Sequence, residues 1–66
     1  MTTLEALEQI KKDEVVTNIY PIGFQYLFFM RPDGTIIKHF RGIQNPITEE
    51  EFLTQYSQEP YEGNWE

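Results

Sequence analysis

Residues 24–41 read FQYLFFMRPDGTIIKHFR, two runs rich in apolar and aromatic residues around Pro32-Asp33-Gly34. Proline presets φ at the first central turn position, aspartate tolerates the second, and glycine accepts the positive φ that closes the loop. The stretch predicts a hairpin with a three-residue loop, a type I turn followed by a G1 bulge. Arg31 then stands opposite Thr35, and the register runs Met30–Ile36, Phe29–Ile37, Phe28–Lys38, Leu27–His39 and Tyr26–Phe40. Side chains alternate between faces along a strand. One face therefore carries Phe24, Tyr26, Phe28, Met30, Ile36 and Phe40, interrupted by Lys38, and is the expected core. The other carries Leu27, Phe29 and Ile37, ringed by Gln25, Arg31, His39 and Arg41.

On the N-terminal side, Thr2 and Glu5 have the spacing of a capping box, and Leu4, Leu7 and Ile10, widened by Ala6, form an apolar stripe. These predict a helix over 3–13. Val15 to Tyr20 is β-branched and aromatic and is stopped by Pro21 and Gly23, which predicts a strand. On the C-terminal side, Gly42 and Asn45-Pro46 mark a loop. Thr48 and Glu51 form a second capping box, and Ile47 is placed to staple against Phe52. A helix over 48–56 would bury Phe52, Leu53 and Tyr56. The expected fold is α+β in the order α-β-β-β-α, a three-stranded antiparallel sheet with both helices on one face. Residues 1–56 form the domain, and 57–66 form an acidic, aromatic tail able to dock onto it.

At 66 residues with no cysteine and one histidine, the chain has neither a disulfide staple nor a Cys/His zinc site. A core of this size seldom supplies more than about 3–5 kcal/mol, which leaves tight packing or association to stabilise it. Aromatic content of 15% places the chain among folding rather than disordered sequences. The first residues lack the basic and apolar regions of a signal peptide, and no apolar run approaches the roughly 20 residues of a membrane span. A cytoplasmic protein is expected.

The formal net charge of −6 argues against direct binding of nucleic acid or an anionic membrane, both of which demand positive charge. The charge is polarised. Residues 1–14 hold four acids and two lysines, residues 15–46 hold Asp33 against Arg31, Lys38 and Arg41, and residues 47–66 hold six glutamates and no base. Glu49, Glu50, Glu51, Glu59, Glu62 and Glu66 are candidate contacts for a basic partner protein, with Tyr56, Tyr61 and Trp65 as apolar anchors. The second candidate is the apolar sheet face of Leu27, Phe29 and Ile37 with Arg31, His39 and Arg41, a contact for a homodimer or a larger assembly.

No constellation for catalysis is evident. His39 lacks a neighbouring nucleophile, the single serine is Ser57, and the consecutive glutamates fan around a helix rather than converge on a metal. The scattered glycines make no phosphate loop. No enzyme activity, cofactor or metal is expected.

Residues 27–55, LFFMRPDGTIIKHFRGIQNPITEEEFLTQ, resemble the closing β-β-α of thioredoxin-like oxidoreductases. The Cys-x-x-Cys of those enzymes is absent, as is the proline that opens the first strand, where Ile22-Gly23-Phe24 stands. The resemblance therefore transfers no activity. In size, charge and element order the chain is also similar to small acidic phage-encoded inhibitors, DNA mimics and anti-CRISPR proteins among them. That likeness implies a non-enzymatic regulator or inhibitor engaging a basic protein surface. The alternative is a structural or accessory subunit that pairs through its apolar sheet face.

Overall fold

The computed structural model describes residues 1–20 and 23–66. Its elements are α1 (Thr3–Lys11), β1 (Val16–Ile19), β2 (Gln25–Met30), β3 (Ile36–Phe40), β4 (Ile43–Ile47) and α2 (Glu49–Tyr56). The strands form one antiparallel sheet in the order β1-β2-β3-β4. The class is α+β as expected, but the sheet has four strands and not three. The stop assigned to Pro21 lies outside the described residues.

The central hairpin has the predicted register at Met30–Ile36, Phe29–Ile37, Phe28–Lys38 and Leu27–His39. Gly34 takes φ 89°, and its N–H donates to the Arg31 carbonyl at 2.9 Å, while the Arg31 N–H donates to the Thr35 carbonyl at 2.8 Å. The Asp33 carboxylate accepts from the Thr35 N–H at 2.9 Å, a bond that lowers its pKa.

The fourth strand occupies the predicted loop. Arg41 and Gly42 have φ 50° and 83°, the two consecutive positive values of a type I′ hairpin turn. Phe40 pairs with Ile43 across it, and Ile37 with Pro46. Because the residues flanking such a turn exchange both backbone bonds, Ile43, Asn45 and Ile47 direct theirs at β3 and Gln44 and Pro46 face away. The N–H that Pro46 lacks would have pointed off the open edge, so proline here costs the ladder nothing.

Both helices carry complete capping boxes, Thr2 with Glu5 and Thr48 with Glu51. The buried face of α1 is Thr3, Ala6, Leu7 and Ile10, at the i, i+3, i+4, i+7 spacing. Leu4, placed on the apolar stripe by sequence, is 58% exposed. The helix ends two residues earlier than expected. Asp13 adopts φ 63°, its N–H donates to Ile10 and that of Glu14 to Gln9, which is a Schellman stop with aspartate at the left-handed position.

The helices lie antiparallel on one sheet face. Thr3 at the start of α1 bonds the Tyr56 carbonyl at the end of α2, and Lys11 pairs with Glu49 at 2.8 Å. Ala6, Leu7, Ile10, Phe52 and Tyr56 close on Val16, Phe28 and Ile36, and Trp65 completes this core. Residues 64–66 run beside β1. Thr17 and Glu66 exchange backbone bonds of 2.8 Å each, and the Ile19 N–H donates to Asn64 at 2.9 Å. The β1 edge is thereby closed.

Candidate functional site

Among the described residues, both helices and Trp65 of the tail pack on one side of the sheet, and no helix or strand lies across the opposite face. Outward positions follow from alternation and register. Thr17, Leu27, His39 and Gln44 form one rung across the four strands, and Phe29, Ile37 and Pro46 form the next. Continuing the register back one residue sets Val15 beside Phe29. Glu66, opposite Thr17 and adjacent to the inward Trp65, stands on the outer margin. Val15 is 59% and Leu27 38% exposed. Phe29 is half-buried and Ile37 fully buried, although Ile37 belongs to the outer face and not to the helix-side core. The expected patch is therefore exposed at Leu27 and in part at Phe29, while Ile37 lies beneath the surface. Val15, Thr17 and Pro46 extend it beyond the sequence reading. The alternation of Val15, Thr17 and Ile19 was the signal for the first two. Pro46 could be placed on this face only once β4 was recognised as a strand.

The basic residues expected beside this patch separate. Arg31 is exposed at the hairpin end. His39 accepts at Nε2 from the Gly42 N–H at 3.2 Å, which ties its ring to the β3–β4 turn. Arg41 leaves the patch altogether: the positive-φ turn carries its guanidinium over the rings of Phe24 and Phe40, 5.3 and 5.2 Å from their centroids. These are helix-side rings, and the cation–π contact holds the group there. Lys38, also on the helix side, places its ammonium 4.5 Å from the Tyr26 ring and 5.5 Å from that of Tyr56.

The acidic candidates do not make one patch. Glu49, Glu50 and Glu51 cluster at the start of α2, whereas Glu59 and Glu62 follow its end. The eight residues of α2 separate the two groups by about 12 Å of helix. Three of the glutamates already have structural partners. Glu49 pairs with Lys11, Glu51 accepts from the Thr48 N–H at 3.2 Å, and Glu62 accepts from the Thr3 N–H at 3.2 Å. The last satisfies a donor left unpaired by the first turn of α1 and sits at its positive dipole end. Glu50, Glu59 and Glu66 project into solvent.

Of the expected aromatic anchors, Tyr56 and Trp65 are core residues, 2% and 4% exposed. Trp65 lies 5.3 Å from Phe28 and 5.1 Å from Phe52, centroid to centroid. Its Nε1–H donates to Thr3 Oγ1 at 2.9 Å, and that hydroxyl donates onward to the Tyr56 carbonyl. Burial raises the Tyr56 phenol to about 12. Tyr61 is half-buried, its ring tilted against that of Tyr20 at 5.4 Å and edge-on to that of Tyr56 at 5.0 Å, centroid to centroid. Its carbonyl accepts from the buried Asn18 amide at 3.1 Å.

Two concavities border the tail. One, of about 470 Å³, is lined by Ile19, Tyr20, Gly23 and residues 63–66. The other, of about 220 Å³, lies among Lys38, Gln55, Tyr56 and Tyr61. Among the described residues, no three His, Cys, Asp or Glu side chains converge as a metal site, and no helix is long and apolar enough to cross a membrane.

The chain matches no family model, no curated protein and no solved structure. β4 also separates the hairpin from α2, which departs from the thioredoxin-like β-β-α order.

Proposed function

We propose that this chain is a small non-enzymatic protein-binding protein, a cytoplasmic regulator or inhibitor, and that its contact surface is the open outer face of the sheet. The observation that carries the reading is the apolar outer face, on which Val15, Leu27 and Pro46 are exposed and Phe29 is half-buried, while both helices and Trp65 pack on the opposite side of the sheet. Exposed apolar surface rimmed by polar groups is the signature of an interaction site.

A second reading assigns contact with a basic partner to the glutamates, in the manner of an acidic inhibitor. It is favoured by the absence of any base in residues 47–66 and by the exposure of Glu50 and Glu59. With Tyr56 and Trp65 in the core, that surface has Tyr61 as its remaining aromatic, and electrostatics would act mainly on the rate of encounter.

Capture of partners from native host extract, with Leu27→Glu compared to a Glu50→Lys/Glu59→Lys variant, separates the readings. Leu27 and both glutamates are exposed, so each variant should fold. The outer-face reading expects Leu27→Glu to lose the captured protein and the double reversal to keep it at low and high salt. Loss only with the double reversal, together with elution of the wild-type complex by salt, would transfer the function to the acidic surface.

A further inference from the structure

We infer that the occupant of the outer face is a second copy of this chain, packed sheet to sheet across a two-fold axis. The inference rests on the proposed contact surface and names its partner. Although the chain carries 11 acidic residues, none falls within β1, β2, β3 or β4. The outer face is thus a surface on which two chains of net charge −6 can meet without opposing carboxylates. A basic partner would gain little from strands that carry no carboxylate, whereas an acidic one meets its least repulsion there.

Geometry points the same way. Edge pairing is obstructed at both sides of the sheet: residues 64–66 occupy the β1 edge, and Pro46 removes a donor from the β4 edge. Face-to-face packing remains. A two-fold axis parallel to the strands lays the β1 margin of one copy over the β4 margin of the other. The accessible members of the second rung, Val15, Phe29 and Pro46, are all apolar, so its reversal sets apolar side chains against one another. The same operation carries Glu66, on the β1 margin, toward His39 and Gln44 of the second copy, a carboxylate facing a ring and an amide.

The small size of the face is that of a weak, transient interface. Four strands about 4.8 Å apart, five residues long at about 3.4 Å per residue, present roughly 330 Å² in projection. Even roughly twice that, allowing for side-chain relief, falls short of the about 800 Å² per partner of a standard interface. The dimer belongs in the micromolar range.

Sedimentation equilibrium over a micromolar concentration series, at low and high salt, tests this on the full chain. The expected result is a monomer–dimer equilibrium that tightens as salt screens the −6 charges, and a Leu27→Glu chain with an affinity at least roughly 100-fold weaker. Trp65 fluorescence reports that the variant remains folded. A wild-type chain that stays monomeric at high micromolar concentration in high salt would overturn the inference, as would unchanged dimerisation of Leu27→Glu. If the wild type is monomeric while Leu27→Glu still loses its captured host protein, the dimer is wrong and the contact surface stands. If Leu27→Glu abolishes the dimer but keeps the host protein, the second copy is right and the captured protein binds elsewhere.

Discussion

Trp65→Ala is expected to leave the chain unfolded at room temperature. The indole is packed among Phe28, Phe52 and Tyr56, and truncating a buried aromatic costs about 3–5 kcal/mol. A domain this small holds a total of roughly that amount. The loss extends beyond the ring, because residues 64–66 close the β1 edge and Glu62 caps α1; releasing the tail exposes both. Far-UV circular dichroism and urea titration check the outcome. Trp65→Phe serves as the control: it retains most of the packing and lacks the indole donor, so it should fold with reduced stability. A Trp65→Ala chain with a cooperative urea transition near that of the wild type would show that the tail is not part of the core.

Thr3→Val removes the hydroxyl that links three elements. Thr3 Oγ1 accepts from Trp65 Nε1 and donates to the Tyr56 carbonyl at the end of α2, and Thr3 is fully buried. Valine has nearly the same shape, so packing is preserved while a buried N–H and a buried C=O lose their partner. Each unsatisfied group costs about 1–3 kcal/mol, so the two together cost about 2–6 kcal/mol, much of the stability of so small a domain. Thr3→Ser keeps the hydroxyl and loses a methyl group, costing about 1 kcal/mol. The order wild type, Thr3→Ser, Thr3→Val in urea midpoints follows; a Thr3→Val chain as stable as Thr3→Ser would mean that water satisfies these groups.

Local chemistry was the legible part of this fold. The Pro32-Asp33-Gly34 loop dictated the hairpin and its register, and the Thr2/Glu5 and Thr48/Glu51 pairs located both helix starts. β4 was hidden because Asn45-Pro46 carries the composition of a loop, and whether proline breaks a strand depends on which edge it faces. The stop of α1 was hidden in Asp13, whose left-handed conformation is more often supplied by glycine. Trp65, read as an anchor for a partner, is instead a core residue. Its place between the two helices depends on contacts with Thr3 and Phe28, far away in the chain, and no local periodicity points to them.

The contact surface was legible to a similar extent. Leu27, Phe29 and Ile37 fall on one face by alternation alone, once the hairpin register is known. That the face is open could not be read from sequence, because the tail might equally have crossed it. The expected placement of Arg41 failed for a local reason: the positive φ of its turn turns the side chain toward Phe24 and Phe40. The acidic third looked uniform in sequence, yet Glu49, Glu51 and Glu62 hold an ion pair, a capping box and a helix start. The glutamate run is therefore in part a folding device.

Backbone amide shifts followed by NMR from dilute to concentrated protein, in high salt, locate the contact surface on the chain itself, with no other protein present. The account predicts that the concentration-dependent changes gather on Thr17, Leu27, Phe29, Ile37 and His39 and leave residues 49–56 unmoved. Changes confined to α2 and the tail, with the β2–β3 hairpin silent, would contradict it.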